Sequence, residues 1–229
     1  MSNVLSLHDS SIPLHTLDFK RKHGRLQPHL LRRIVNYALS HNVQRLGLCF
    51  NGDISQTLPT MFSSETLTYL KLSIDHGRGY ETQFPKSLNL PALTNLQLEN
   101  IVFYVGDNGR AEPFSTFNRL NSLLISNCVV WSEQTLCISN DTLVNLTMYI
   151  DRFNFYEIDL CTPSLCTFVF TGTPFQKLYG SNVSSLKHVV IDVEVIQYHE
   201  KSPLFLFSWL VEFANIKSLT VSATTLQVH

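Results

Sequence analysis

The chain has 229 residues, 44% of them hydrophobic, and its 17 basic and 18 acidic side chains give a formal charge of -1. That balance excludes an electrostatic footprint for a nucleic-acid backbone or an anionic membrane surface, and the apolar content excludes a disordered segment. One elongated domain with a sizeable core, spanning residues 1–229, fits the length.

In chain order, the first 20 residues carry Asp9, Pro13 and His15 where a secretory leader needs a basic start and an unbroken apolar run, so no export address is visible and an intracellular chain, nuclear or cytoplasmic, is expected. Leu14-Leu17-Phe19 reads as a short strand, followed by a basic turn, Lys20-Arg21-Lys22-His23-Gly24-Arg25. A helix is predicted over Gln27 to Ser40. Pro28 suits the first helical position, and Leu30, Leu31, Ile34, Val35 and Ala38 share a face opposite Arg32, Arg33 and Asn36.

From there one pattern recurs: an apolar residue, a second three positions on and a third two further. Leu67-Leu70-Leu72, Leu93-Leu96-Leu98, Leu120-Leu123-Ile125 and Leu143-Leu146-Met148 carry it most plainly. Val43-Leu46-Leu48, Leu165-Phe168-Phe170, Leu186-Val189-Ile191 and Ile216-Leu219-Val221 extend it. With the N-terminal motif there are nine starts, separated by 29, 24, 26, 27, 23, 22, 21 and 30 residues. This is the period of a leucine-rich repeat, in which the first, fourth and sixth residues of a short strand face inward and a return segment brings the next strand alongside in parallel. The expected fold is an α/β leucine-rich-repeat solenoid of about nine repeats, with a curved parallel sheet and a mostly irregular convex side. Helices belong to its two long steps, the second running from Ser202-Pro203 to about Phe213. The apolar run Leu204 to Phe213 is about half the length of a membrane span and reads as a buried helix. Between the helices, Pro85, Pro91, Pro113, Pro163 and Pro174 predict irregular turns.

Signals of catalysis or cofactor binding are weak, and no catalytic, cofactor or metal site is assigned. His76-Gly77-Arg78-Gly79 lacks the Lys-Ser/Thr of a phosphate loop and reads as a surface loop. The nine histidines include no pair with helical ligand spacing, and His15 and His188 fall on predicted strands. Cys49, Cys128, Cys137, Cys161 and Cys166 form no zinc or disulfide framework, so reduced and mostly buried thiols are expected, with Cys161 and Cys166 flanking a turn at Pro163. The sequons at Asn140, Asn145 and Asn182 match by chance frequency when no export signal is present.

Recognition by the exposed side of the sheet is the remaining chemistry. Residues interleaved with the inward ones point outward, and Arg45, Lys71, Gln97, Leu124, Thr147, Val169, Val190 and Thr220 are the candidate partner-binding ladder.

Three stretches resemble a known family. They are Val4-Leu5-Ser6-Leu7-His8-Asp9 leading into Leu14-His15-Thr16-Leu17-Asp18-Phe19, the block His41-Asn42-Val43-Gln44-Arg45-Leu46, and Leu93-Thr94-Asn95-Leu96-Gln97-Leu98-Glu99-Asn100. In these the chain resembles plant F-box proteins that carry leucine-rich repeats and often a C-terminal FBD domain. The resemblance implies the substrate-binding region of a cullin ubiquitin ligase subunit, in which an N-terminal F-box docks on a Skp-type adaptor and the repeats hold a protein substrate. Neither the F-box nor the FBD domain is expected within these residues, so adaptor binding would need an F-box upstream. An intracellular repeat scaffold or an immune-type sensor outside ubiquitination is the alternative.

Overall fold

A computed structural model describes residues 14–52, 63–75, 82–85, 88–133, 135–150, 155, 157–174, 176–193, 202–213 and 216–222. Nine strands among them form one all-parallel sheet whose spatial order is their chain order. They are β1 (Thr16–Arg25), β2 (Arg45–Asn51), β3 (Tyr69–Asp75), β4 (Asn95–Glu99), β5 (Ser122–Ser126), β6 (Asn145–Ile150), β7 (Thr167–Gly172), β8 (His188–Val193) and β9 (Ser218–Val221). Each predicted motif supplies one strand. Leu46, Leu70, Leu96, Leu123, Leu146, Phe168 and Val189 stand in one register line, each 0 to 2% exposed.

Burial follows stacking. Leu219 extends the same line at β9 but is 44% exposed, because β9 has a described neighbour on one side only. Gly172 ends β7 with φ +130, and a Cβ there would run into the Ile150 carbonyl of β6. Only glycine adopts that conformation and admits that approach without strain.

The two helices lie at the predicted long steps. α1 (Pro28–Ser40) buries Leu31, Ile34, Val35 and Ala38. Its C-terminus is a Schellman turn: Asn42 takes φ 52, its N–H donates to the Leu39 carbonyl, and the Val43 N–H donates to the Ala38 carbonyl. α2 (Ser202–Glu212) is not the buried helix predicted. Trp209 and Phe213 pack on Phe168 and Phe170, and the Trp209 Nε1–H donates to the Gln176 carbonyl at 2.8 Å, but Phe207 and Val211 are 65% and 74% exposed. An eleven-residue helix laid over one end of a solenoid covers one face alone.

Two further expectations are corrected. Lys20 to Arg25 is not a turn: β1 runs through it, with a register shift between Lys20 and Arg25 and with Gly24 at φ +73. As the edge of the sheet, β1 has one described neighbour, and charged side chains suit a strand that must not recruit another. The middle of the return side is also not irregular. Arg110–Ala111, Thr135–Ser139, Glu157–Cys161 and Lys177–Asn182 form a second parallel sheet of four strands, and Val102–Phe103 pairs with Val129–Val130. Leu136, Ile138, Ile158, Leu160 and Leu178 turn inward from it, while Pro113, Pro163 and Pro174 sit in the connections and interrupt no strand.

These features predict graded mutational costs. Leu96→Ala, in the fully covered middle, should lower the unfolding free energy by about 2–5 kcal/mol, and Leu219→Ala by less than about 1 kcal/mol. Gly172→Ala should destabilise by about 1–3 kcal/mol through backbone strain. Denaturant midpoints measured for the three variants and the parent chain check the order, and equal losses at Leu96 and Leu219 would contradict burial by stacking.

Candidate functional site

Side chains that alternate with the inward ones emerge on the other side of the nine-stranded sheet in rows set by register. The central row is Asp18, Gly47, Lys71, Gln97, Leu124, Thr147, Val169, Val190 and Thr220. All the predicted ladder residues except Arg45 lie in it. Arg45 is corrected by the register, which pairs Lys71 with Gly47, the residue between inward Leu46 and Leu48. Arg45 emerges two residues earlier on the same face, with its guanidinium 4.1 Å from the centre of the Tyr69 ring. Gly47 leaves a notch, and the Asp18 carboxylate occupies the space a Cβ would need.

The row is uneven in chemistry. Lys71, Gln97, Leu124, Thr147, Val169 and Val190 are all half-buried, as strand side chains flanked by neighbours must be. Basic groups of this face belong to the first three strands, as Lys20, Arg45 and Lys71, whereas β5, β6 and β7 carry no charged residue. A third row adds polar and aromatic groups. There the Cys49 thiol donates to Ser73 Oγ at 3.7 Å, and Ser73 Oγ donates to Glu99 Oε2 at 2.6 Å. The same row holds Tyr149, 41% exposed in the uncharged middle of the sheet, which the ladder prediction missed. Its signal was present: the alternation of β6 continues past Met148 to a buried Ile150, so Tyr149 between them points out.

The return sheet presents a different surface. Arg110 is ion-paired with Asp159, and Lys177 lies 3.8 Å from Glu157, which also accepts from Thr135 Oγ1 at 3.0 Å. The hydrogen bond to Asp159 raises the Arg110 pKa above its ordinary value, while burial pushes the Cys137 thiol up against the opposing pull of Arg110. Beside them a hollow of about 260 Å³ is lined by Phe84, Phe103, Tyr104, Arg110, Glu112 and Pro113 among others. Tyr104 stacks on Trp131 at its edge, with ring centres 5.7 Å apart.

Among the described residues no three His, Cys, Asp or Glu side chains come together as a metal site. His76 to Gly79 lies outside the described residues, and His15 immediately precedes β1 whereas His188 opens β8. All five thiols are free, but only Cys128 and Cys137 are buried; Cys49, Cys161 and Cys166 are half-buried, contrary to the expectation of mostly buried thiols. Cys49 emerges on the outward face, and Cys161 and Cys166 lie beside the turn at Pro163. At the first sequon, the Asn140 amide is buried and donates to the Phe114 and Phe117 carbonyls at 3.0 and 2.9 Å. No helix among the described residues is long and apolar enough to cross a membrane.

Parallel strands at repeat spacing, inward leucine columns and a continuous outward face define a leucine-rich-repeat solenoid, a repeat module for protein interaction. The relatives agree with that class. An F-box/LRR-repeat protein of Arabidopsis thaliana is 28% identical over 246 aligned residues, covering 100% of this chain and 62% of the relative. A second F-box/LRR-repeat protein of the same plant is 25% identical over 206 residues, 82% of this chain and 42% of the relative. A third relative, whose name also carries the F-box, is 23% identical over 239 residues, 96% of this chain and 51% of its own length. The chain is thus similar, at low identity and over most of its length, to plant F-box/LRR-type proteins, and it spans about half the length of these curated relatives. No protein-family profile matches it. No solved structure matches it.

The electrostatics give one prediction. Burial pushes the Cys128 thiol up to about 12 from 9.0, so the folded chain holds this proton over a range in which the unfolded chain releases it. The stability associated with the protonated thiol is complete below pH 9.0 and is lost as pH rises towards about 12. Denaturant midpoints should therefore fall across that window, less steeply in Cys128→Ala, and Cys128 should resist alkylation in the native state. Identical slopes for the two chains would show that the thiol is not the cause.

Proposed function

We propose that residues 1–229 act as one repeat domain that recognises a protein partner on the outward face of the nine-stranded sheet. Its role is the substrate-binding region of an F-box-type subunit of a cullin ubiquitin ligase. The observation that carries the recognition surface is the uncharged middle of that face, where Leu124, Val169 and Tyr149 stand on a hydrogen-bonded platform with basic groups at one side and Val190 on the next strand. Interfaces draw most of their energy from a few apolar and aromatic anchors surrounded by polar contacts, and a rigid sheet holds such anchors at little entropic cost. The names of the relatives support the ligase role.

A partner retained by the immobilised chain from a plant extract supplies the assay. Leu124→Glu and Val190→Glu should each reduce its retention at least tenfold, an effect of about 1.4 kcal/mol or more. Lys177→Glu, on the return sheet, should leave retention unchanged, and melting curves of all three variants should stay close to the parent. Full retention by both outward variants would remove this face as the site.

The ligase role carries a second expectation. The apolar stripe of α1 is buried in the solenoid at Leu31, Ile34, Val35 and Ala38, and a stripe used for packing is not free to dock an adaptor. Residues 1–229 mixed with a purified Skp-type adaptor should therefore elute separately. A stable stoichiometric complex would contradict this and place adaptor binding within the chain.

A further inference from the structure

The central outward row changes character strand by strand, and the change has a spacing. Lys71 stands on β3, Leu124 on β5 and Val169 on β7, so between β3 and β7 a side chain that offers a strong contact recurs every second strand, and Val190 on β8 continues the apolar end. The side chains between them, Gln97 on β4 and Thr147 on β6, are neutral and polar. Neighbouring strands lie about 4.8 Å apart, so the contacts repeat at about 9.6 Å. A polyproline II segment rises about 3.1 Å per residue with three residues per turn, and presents the same side every 9.3 Å or so. A fully extended strand, at about 3.3 Å per residue and two residues per repeat, returns to the same side after about 6.6 Å and drifts out of step with the row.

Charge sets the direction. Lys71 has no ion-pair partner among the described residues, Arg45 emerges on the adjacent strand β2, and Lys20 emerges one strand further on β1. Against them stand Asp18, held over Gly47, Glu99, which already accepts from Ser73, and Asp75, exposed at the far end of β3. From β5 to β7 the face carries no charge at all.

We propose, resting on the reading of this face as the recognition surface, that its partner is an extended polyproline II segment of the form acidic-x-x-apolar-x-x-apolar. The segment crosses the strands with its acidic residue on Lys71 and its two apolar residues on Leu124 and Val169. Tyr149, one row away between β5 and β7, flanks the second apolar residue.

Fluorescein-labelled synthetic peptides test this with the full 229-residue chain by fluorescence anisotropy. One nine-residue peptide is Ala-Asp-Pro-Ala-Leu-Pro-Ala-Leu-Ala, and two nine-residue controls of equal composition place the three contact residues two or four positions apart. The three-residue spacing should bind at least tenfold tighter than either control. In Lys71→Glu that preference should pass to the peptide whose Asp is replaced by Lys, a reversal that damage to the fold does not produce. Equal affinities for the three spacings, no binding by any of them, or no reversal in Lys71→Glu would overturn the proposal. The wider reading fails separately: peptides that lose affinity in Leu124→Glu without any preference for spacing keep the face as a binding surface and reject only the polyproline register. Binding that is unchanged in Leu124→Glu rejects the face itself.

Discussion

A single backbone carbonyl at each turn holds the stack in register. The His15 carbonyl accepts the N–H groups of both Gln44 and Arg45, that of Thr68 accepts both Thr94 and Asn95, and that of Lys187 accepts both Lys217 and Ser218. The same doubled contact recurs at Gln44, Thr94, Asn121, Val144 and Cys166, immediately before each following strand begins. A one-residue slip at any junction would turn a leucine column outward and bring a polar row into the core, so the junction and the hydrophobic pattern enforce each other. Inward columns and outward rows are two consequences of that one constraint.

Each departure from a straight stack has a local device behind it. Asn100 and Asn127 end β4 and β5 with φ 56 and 48, and their N–H groups donate to the Ser126 and Tyr149 carbonyls of the next strand. Asparagine tolerates the left-handed region better than most residues, which lets the chain leave the sheet without losing its last lateral contact. The block His41-Asn42-Val43 does the same for α1. Asn42 closes the Schellman turn, and Val43, tied back to Ala38, is the buried residue that leads into β2. A stretch that looked like a family signature is thus also the joint between helix and sheet.

What was legible in the sequence divides along the strength of the local pattern. Leucine, with one isoleucine, at the first, fourth and sixth positions is unambiguous in the motifs of β3, β4 and β5, and the helix stripe of α1 is equally plain. The return sheet was hidden because its strands offer two inward residues at most, as in Ile158-Asp159-Leu160, between prolines that suggest broken structure. Those prolines mark where the return strands begin and end. The basic stretch of β1 misled for the opposite reason: charges that argue against a central strand are what an edge strand needs. Gly47 has no side chain to offer a contact, so the sequence favours Arg45, although the interleaving rule points to Gly47.

The contrast between the two sheets bears on where recognition takes place. On the return sheet the charges answer one another, Arg110 with Asp159 and Lys177 with Glu157, and an incoming charged partner would have to displace contacts already made. Its hollow is lined by the same Arg110, whose terminal nitrogen is already committed to Asp159. On the outward face Cys49, Ser73 and Glu99 form a hydrogen-bonded chain along one row, while Lys71 has no ion-pair partner among the described residues. A surface gains most from a partner where its own groups have least to give up, because desolvating a group that is already paired costs free energy and returns little. The return sheet closes the core behind the leucine columns, and the other side of the nine-stranded sheet is the face proposed to receive a second chain.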